Sequence, residues 1–329
     1  MILAGDIGGT HTRLAVFTLE GERLTSISEE TFPSRSHSGL TEIVSQYLST
    51  HRRSVSSACF GVAGPIKHNR CEATNLPWVV DAQRLASELH IPIVQLINDL
   101  EANAYGIGAL EPGDFVTLNP GAPEASGNRA VISVGTGLGE AGLYWDGRQH
   151  HPFACEGGHV DFSPRNQLEV DLLFYLQARF EHDSYERVLS GPGLHWIYQF
   201  LRDTRRGEES PAVVSQFATL DPSAVVSRAG LAGESTLCMQ ALDLFASLYG
   251  AEAGNLALKT MATGGVFLGG GIAPKILPKL QEPGFLAGFA AKGRMKALLE
   301  TMPVRVILRD NAALLGAASC AAEGLPGGR

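Results

Sequence analysis

The chain has 329 residues, of which 44% are apolar and 18% charged, with a formal net charge of −8. That length allows about two domains, and the acidic balance argues against a nucleic-acid partner, which calls for a basic surface. No apolar run approaches the ~18 residues of a membrane span, and the N-terminus MILAGDIGGTHTR lacks the basic start and long apolar core of a signal peptide. A cytoplasmic protein with no membrane partner is expected. In chain order, ILAGDI and RLAVFTL read as strands, with a turn at Gly21-Glu22 before a third strand around RLTSISEETF. Leu40, Ile43, Val44, Tyr47 and Leu48 fall at helical spacing between Gly39 and His51. SSACFGVAG is a strand, VDAQRLASELH a helix with Asp81 as its cap, and IPIVQLI a near-continuous apolar strand of the kind buried on both faces. Hairpin strands first, then strands alternating with helices, imply an α/β domain with a mixed sheet.

Residues 112–129 are rich in Pro, Gly and Asn and read as a hinge followed by a loop. A second sheet begins at AVISVG. Leu168–Phe180 and Leu194–Leu201 have helical patterns, and the charged stretch 202–210 reads as a solvated connection. Ser235–Met261 is a long helix with few breakers, VFLGGGI a strand entering a Gly-rich turn, VRVILRD a final strand, and 312–322 a last helix. The tail 324–329, GLPGGR, is expected to be flexible. Cys59, Cys71, Cys155, Cys238 and Cys320 share no CxxC spacing, which fits reduced thiols rather than disulfides or a zinc site.

Two segments share a plan. DIGGTHTRLAVFTLEG and SVGTGLGEAGLYWDG each run strand, Gly/Thr turn, strand and tight turn, which suggests two similar domains facing across a cleft. A Gly/Thr turn offers backbone N–H groups and hydroxyls to phosphate oxygens with no side chains in the way. The first turn also carries Asp6, an acid suited to Mg²⁺ held through water. GLGEAG, 137–142, matches a dinucleotide fingerprint, but that fingerprint must open a helix and LYWDG reads as a strand. The third Gly-rich turn, GGVFLGGGIAPK, suits a flat adenine and ribose or close packing of strand on helix.

Asn98-Asp99 stands where a buried strand ends and a helix begins. Both residue types cap helices. A carboxylate at the carboxyl end of a buried strand also faces a ligand in α/β folds. Glu156-Gly-Gly-His159 has the spacing of a helical di-metal motif, but its two glycines argue against a helix and no second copy exists. Glu and His in a loop converge instead on neighbouring hydroxyls. Together with Glu186, these groups make the mixed donor–acceptor set that a polyol needs.

The segments DIGGTHTRLA, TNLPW, NDLEANA, GTGLG, EGGHVDF, ERVLSGPG and GGVF…GGGI, in this order, resemble the bacterial glucokinase family, within the actin-like, hexokinase and heat-shock-chaperone ATPase superfamily. The resemblance implies an α/β fold of two actin-like (ribonuclease H-like) domains with mixed sheets flanking an interdomain cleft. It implies ATP-dependent phosphorylation of glucose at O6, with Mg²⁺. Asp99 becomes the general base, while Asn98, Glu156, His159, Glu186 and Asn75 bind sugar hydroxyls. Asp6 assists Mg²⁺ through water. Gly8, Gly9, Thr10, Thr12, Gly135, Thr136 and Gly137 surround the phosphates, and Gly270 and Gly271 the adenosine. The resemblance also implies a small domain of 1–110 completed by the last strand and helix, 301–323, a large domain of 111–300, and a homodimer. The chain lacks the Cys-rich zinc motif of the repressor-related sugar kinases. Rival readings are a kinase for mannose or fructose or with another phosphoryl donor, and a non-catalytic sugar sensor. The sensor reading expects a lost base or phosphate turn, and neither is lost here.

Overall fold

The computed structural model describes residues 1–21 and 23–325, and these form two compact units. The first comprises Met1–Pro112, His151–Ala154 and the segment from Arg309 onward; the second comprises Gly113–His150 and Cys155–Leu308. Glu22 of the expected turn and residues 326–329 of the expected tail lie outside the described residues, while Leu325 packs against the first unit's core.

The first unit is built on β1 (Ile2–Ile7), β2 (His11–Glu20), β3 (Arg23–Pro33), β4 (Ser57–Val62) and β7 (Ile93–Asn98), in the order β3-β2-β1-β4-β7. β2 is antiparallel to β1 and β3, while β4 runs parallel to β1 and β7. Alternate residues of a strand face opposite sides, and β1 uses both. Leu3 and Ile7 pack with Leu40, Ile43 and Tyr47 of the helix Leu40–His51 and Leu85 of the helix Ala82–Leu89. Ile2 and Ala4 pack on the other face with Ala102 of the helix Asp99–Ile107 and Leu314 and Ala318 of the helix Ala312–Glu323. Those last two helices meet at glycines. A Cβ on Gly316 would overlap the Ala102 carbonyl, and one on Gly106 the Ala312 carbonyl. The small residues of NAALLGAASCAA therefore set the close approach that keeps the Asp99 helix against the sheet. A separate hairpin, β5 (Arg70–Glu72) and β6 (Val79–Asp81), closes on itself through Ala73 N–H donating to the Trp78 carbonyl at 3.0 Å. Its loop carries Asn75. The sequence gives no sign of it, because three-residue strands have no readable period.

The second unit holds β8 (Phe115–Asn119), β9 (Arg129–Val134), β10 (Leu138–Trp145), β12 (Gly265–Gly269) and β13 (Val304–Ile307), in the order β10-β9-β12-β13-β8, while β11 (His150–Cys155) has its middle residues, His151–Ala154, in the first unit. Two expectations are corrected. The stretch 112–129 is not loop throughout, since β8 lies within it, antiparallel to β13. The final strand, expected to complete the small domain, belongs to this second sheet: β13 pairs in parallel with β12 and buries Val304 and Val306 in the second core. Only the helix Ala312–Glu323 returns to the first unit. The helix Thr236–Thr260 is buried over most of its length, which is why it is apolar around its circumference rather than along one stripe. No described helix is long and apolar enough to cross a membrane.

Candidate active site

Three loops of the first unit converge. β1 ends at Ile7, and the turn Gly8–His11 is closed by Gly8 N–H donating to the His11 carbonyl at 2.9 Å. Gly9 lies flat against the β5–β6 loop, where a Cβ would stand 2.6 Å from Asn75 Cβ. At the end of β7, Asn98 caps the next helix. Its Oδ1 accepts from Leu100 N–H at 2.9 Å, its Nδ2 donates to the Gly64 carbonyl at 3.2 Å, and its own N–H donates to Glu101 at 3.4 Å. This is a capping box, in which two of the helix's orphan donors are satisfied reciprocally. Asn98 is buried, and its amide ties the helix start to the loop just after β4. Asp99 follows as the first helical residue, half-buried, with its Oδ1 3.0 Å from Leu100 N–H. Its Cα stands over Gly61 of β4, where a Cβ would be 3.7 Å away. A negative charge is favoured in a helix's first turn, and capping itself falls to Asn98 and Glu101.

Asp6 sits one residue before the end of β1, opposite Arg13 of β2. Burial pushes its carboxyl above the ordinary range, and Arg13 pulls it back down. Thr12 departs from its expected place among the phosphate ligands. It is fully buried, and its hydroxyl is 3.0 Å from Ser34 Oγ, so it faces the protein interior. Ser34 is the residue that sequence reasoning missed. Its hydroxyl donates to the Gly8 carbonyl at 2.8 Å and its N–H to the Thr10 carbonyl at 3.0 Å, bracing the turn from outside. Nothing in PSRS, far along the chain, marks it.

In the second unit, β9 and β10 are joined by Gly135–Thr136–Gly137, with Gly135 N–H donating to the Gly137 carbonyl at 2.9 Å and Thr136 exposed. GLGEAG opens a strand, as its sequence context requires. Around this turn three other segments gather. Gly191, at the start of the helix Gly191–Asp203, donates its N–H to the Gly135 carbonyl at 2.8 Å. Ile272 N–H donates to the Val134 carbonyl at 3.2 Å, bringing in the turn of Gly270 and Gly271. Gly270 has φ +81°, and a Cβ there would overlap that same carbonyl, so only glycine fits. Glu186, in the short 3₁₀ turn Tyr185–Arg187, accepts from Leu138 N–H at 3.0 Å. A Cβ on Gly137 would lie 2.5 Å from its Oε2.

Glu156 precedes the 3₁₀ turn Gly157–His159, and both Glu156 and His159 are exposed. Two glycines let this turn lie against β10. A Cβ on Gly158 would overlap the Leu138 carbonyl, and one on Gly157 the Glu140 carboxylate. The turn is linked to Glu186's segment by Tyr185 N–H donating to the Val160 carbonyl at 3.0 Å. Glu156, His159 and Glu186 are thus held on adjoining turns of one unit, as are Asn75, Asn98 and Asp99 on adjoining loops of the other. No cluster of three His, Cys, Asp or Glu suited to a metal ion occurs among the described residues.

A family model for glucokinase matches residues 3–324. The glucokinase of Nostoc sp. is 44% identical, over 98% of this chain and 99% of its own. Among solved structures, a glucokinase from an Antarctic psychrotroph is 33% identical with a TM-score of 0.85, covering 98% of this chain and 99% of that one. A ROK family glucokinase from Streptomyces griseus, solved with glucose and AMPPNP, has a TM-score of 0.67 over 98% of this chain and 99% of that one. Its 20% identity makes that a likeness of fold.

Proposed function

Because this chain belongs to the glucokinase family and phosphorylates glucose with ATP, we propose that Asp99 is the general base that takes the proton from the sugar's 6-hydroxyl. The observation that carries this is the division of labour at the strand–helix junction. Asn98 and Glu101 make the cap, and Asp99 follows at the first helical position, with its Cα over Gly61 of β4. Phosphoryl transfer asks a protein mainly for positioning and charge neutralisation. Glu156, His159 and Glu186, with Asn75, bind the other sugar hydroxyls. Asn98 acts chiefly through the placement of Asp99, because most of its amide capacity is already committed.

The backbone of Gly8, Gly9 and Thr10 and that of Gly135, Thr136 and Gly137 hold the ATP phosphates, and Gly270 and Gly271 flank the adenosine. Asp6 fits Mg²⁺. It belongs to no group of three or more ligating side chains among the described residues, and this ion keeps most of its waters and takes one or two carboxylates plus substrate phosphates. When bound, the ion neutralises charge on the transferring phosphate. Burial raises the Asp6 pKa, a cost that a cation offsets. We further infer a cytoplasmic homodimer from the family resemblance, which sedimentation equilibrium tests.

Asp99→Asn keeps the capping geometry and removes the proton acceptor. Its kcat is expected to fall by about 10²–10⁴-fold, with glucose affinity largely retained in equilibrium binding. A coupled assay showing near-normal turnover in this variant would sink the assignment.

A further inference from the structure

Glu140 of β10 and Glu252 of the helix Thr236–Thr260 are acids in the interior of the second unit, 1% and 0% exposed. The two carboxyls lie within hydrogen-bonding reach of each other. Glu252 Oε2 accepts from Asn255 Nδ2 at 2.7 Å, but Glu140 Oε1 and Glu252 Oε1 are buried without a donor among the described residues. Two ionised carboxylates are acceptors only. A proton on one supplies the missing donor to the other, and two like charges at this distance in the interior resist joint ionisation. The other oxygen of Glu140 lies directly beneath Gly157, where any Cβ would collide with it.

We propose that Glu140 and Glu252 share one proton, and that this proton holds the Glu156–His159 turn in its sugar-binding geometry, making Glu140 a positioning residue for glucose. The proposal rests on the assignment of Glu156, His159 and Glu186 to the sugar. The groups facing the pair act in both directions. Burial first, then Glu252, pushes the Glu140 carboxyl up to about 8, while Lys259 opposes them. The thiol of Cys155 lies close enough to feel Glu140 and accepts from Gly157 N–H. Glu252 in turn faces Lys259 Nζ at 3.7 Å, Lys292 and the Tyr185 hydroxyl beside Glu186. Loss of the shared proton leaves two charged acids in contact under the turn, with Glu140 Oε2 already against Gly157.

The test is the KM for glucose and for ATP on both sides of about pH 8. In the wild-type chain the glucose KM rises by about tenfold per pH unit beyond the inflection, as loss of one proton requires, and the ATP KM does not follow. Glu140→Gln donates to Glu252 permanently, so its glucose profile is flat. Glu252→Gln removes the repulsion and moves the inflection to lower pH. An inflection unchanged in Glu140→Gln, or one shared by glucose and ATP, overturns the proposal. The protonated-carboxyl stretch in the infrared, titrated in the wild type and in Glu252→Gln, reads the acid pair without glucose and decides the matter if Glu140→Gln does not fold. A band that titrates alongside a flat glucose profile excludes the link to the turn. Unchanged glucose KM in Glu156→Gln and Glu186→Gln would instead refute the sugar-site reading itself.

Discussion

The hairpin β1–β2 of the first unit carries its own carboxylate. Asp6 stands two residues before Gly8, fixed by the register that sets it opposite Arg13. The hairpin β9–β10 of the second unit has Ser133 in the corresponding place, and its acid arrives from elsewhere: Glu186, bound to Leu138 N–H from a 3₁₀ turn 48 residues further on. The two turns differ in their bracing as well. The first is held from outside by Ser34, whose hydroxyl and N–H take the Gly8 and Thr10 carbonyls. The second is held by the backbone N–H groups of Gly191 and Ile272, which bring in the neighbouring Gly-rich segments. One plan of strand, turn and strand therefore supports two chemistries. An acid built into the strand is a fixed charge, suited to a cation. An acid lent by a distant turn joins the Gly135–Gly137 turn, proposed to hold phosphate, to the segment proposed to bind the sugar.

Exchanging each acid for its amide separates those roles and gives the largest effects. Asp6→Asn removes the fixed charge and should lower kcat by about 10²–10³-fold, the scale of losing one preorganised electrostatic contact, with a raised Mg²⁺ requirement and little change in glucose KM. Under the proposed assignment, Glu186→Gln weakens a charge-assisted contact to the sugar. Its glucose KM should rise by about 10- to 100-fold, the worth of one hydrogen bond to a charged group, with the Mg²⁺ requirement unchanged. Initial-rate kinetics over both substrates and the metal distinguish the two. If Asp6→Asn moved the glucose KM and Glu186→Gln the metal dependence, the contrast would be broken.

Adding a methyl group to each turn gives the next largest effect. On Gly9 a Cβ meets Asn75 Cβ at 2.6 Å, an atom fixed to the backbone of the β5–β6 loop. Gly9→Ala must shift that loop, so it should cost about 1–3 kcal/mol of stability and raise the glucose KM. On Gly137 the obstacle is Glu186 Oε2 at 2.5 Å, the far end of a flexible side chain. Gly137→Ala should turn Glu186 aside at a cost below about 1 kcal/mol, within the scatter of tolerated substitutions, while still raising the glucose KM. Thermal denaturation beside glucose kinetics measures both, and equal losses of stability would contradict the difference in bracing.

Much of this was legible in the sequence where the chemistry is local. The Gly/Thr turns, the Asn98-Asp99 junction, the Asp81 cap and the long helix all announce themselves by composition or period, and the helix cap is confirmed by Asp81 accepting from Arg84 N–H at 3.1 Å. What the sequence hides is long-range. β8 and the β5–β6 hairpin are too short to show a period. β13 reads as a strand, but its choice of sheet depends on pairing with β12, which no local pattern encodes. Thr12 looks like a phosphate ligand because hydroxyls beside glycines do. Only the fold shows that β2 turns it inward to Ser34.

That inward turn supplies the smallest and sharpest contrast. Thr12 and Thr136 both stand in Gly/Thr segments, but Thr12 is fully buried and Thr136 exposed. Valine has nearly the shape of threonine and lacks the hydroxyl. In Thr12→Val, Ser34 keeps its bond to the Gly8 carbonyl and loses only the contact to Thr12. The expected cost is about 1 kcal/mol of stability, the net worth of one neutral hydrogen bond, with the ATP KM unmoved. In Thr136→Val no buried contact is lost, so stability should stay within about 0.5 kcal/mol. The hydroxyl proposed to meet phosphate is lost there, so the ATP KM should rise several-fold. Denaturant titration and ATP kinetics on the two variants read opposite columns of the same comparison. A rise in ATP KM in Thr12→Val would return Thr12 to the phosphate site, because the hydroxyl would then have to leave Ser34 when nucleotide binds.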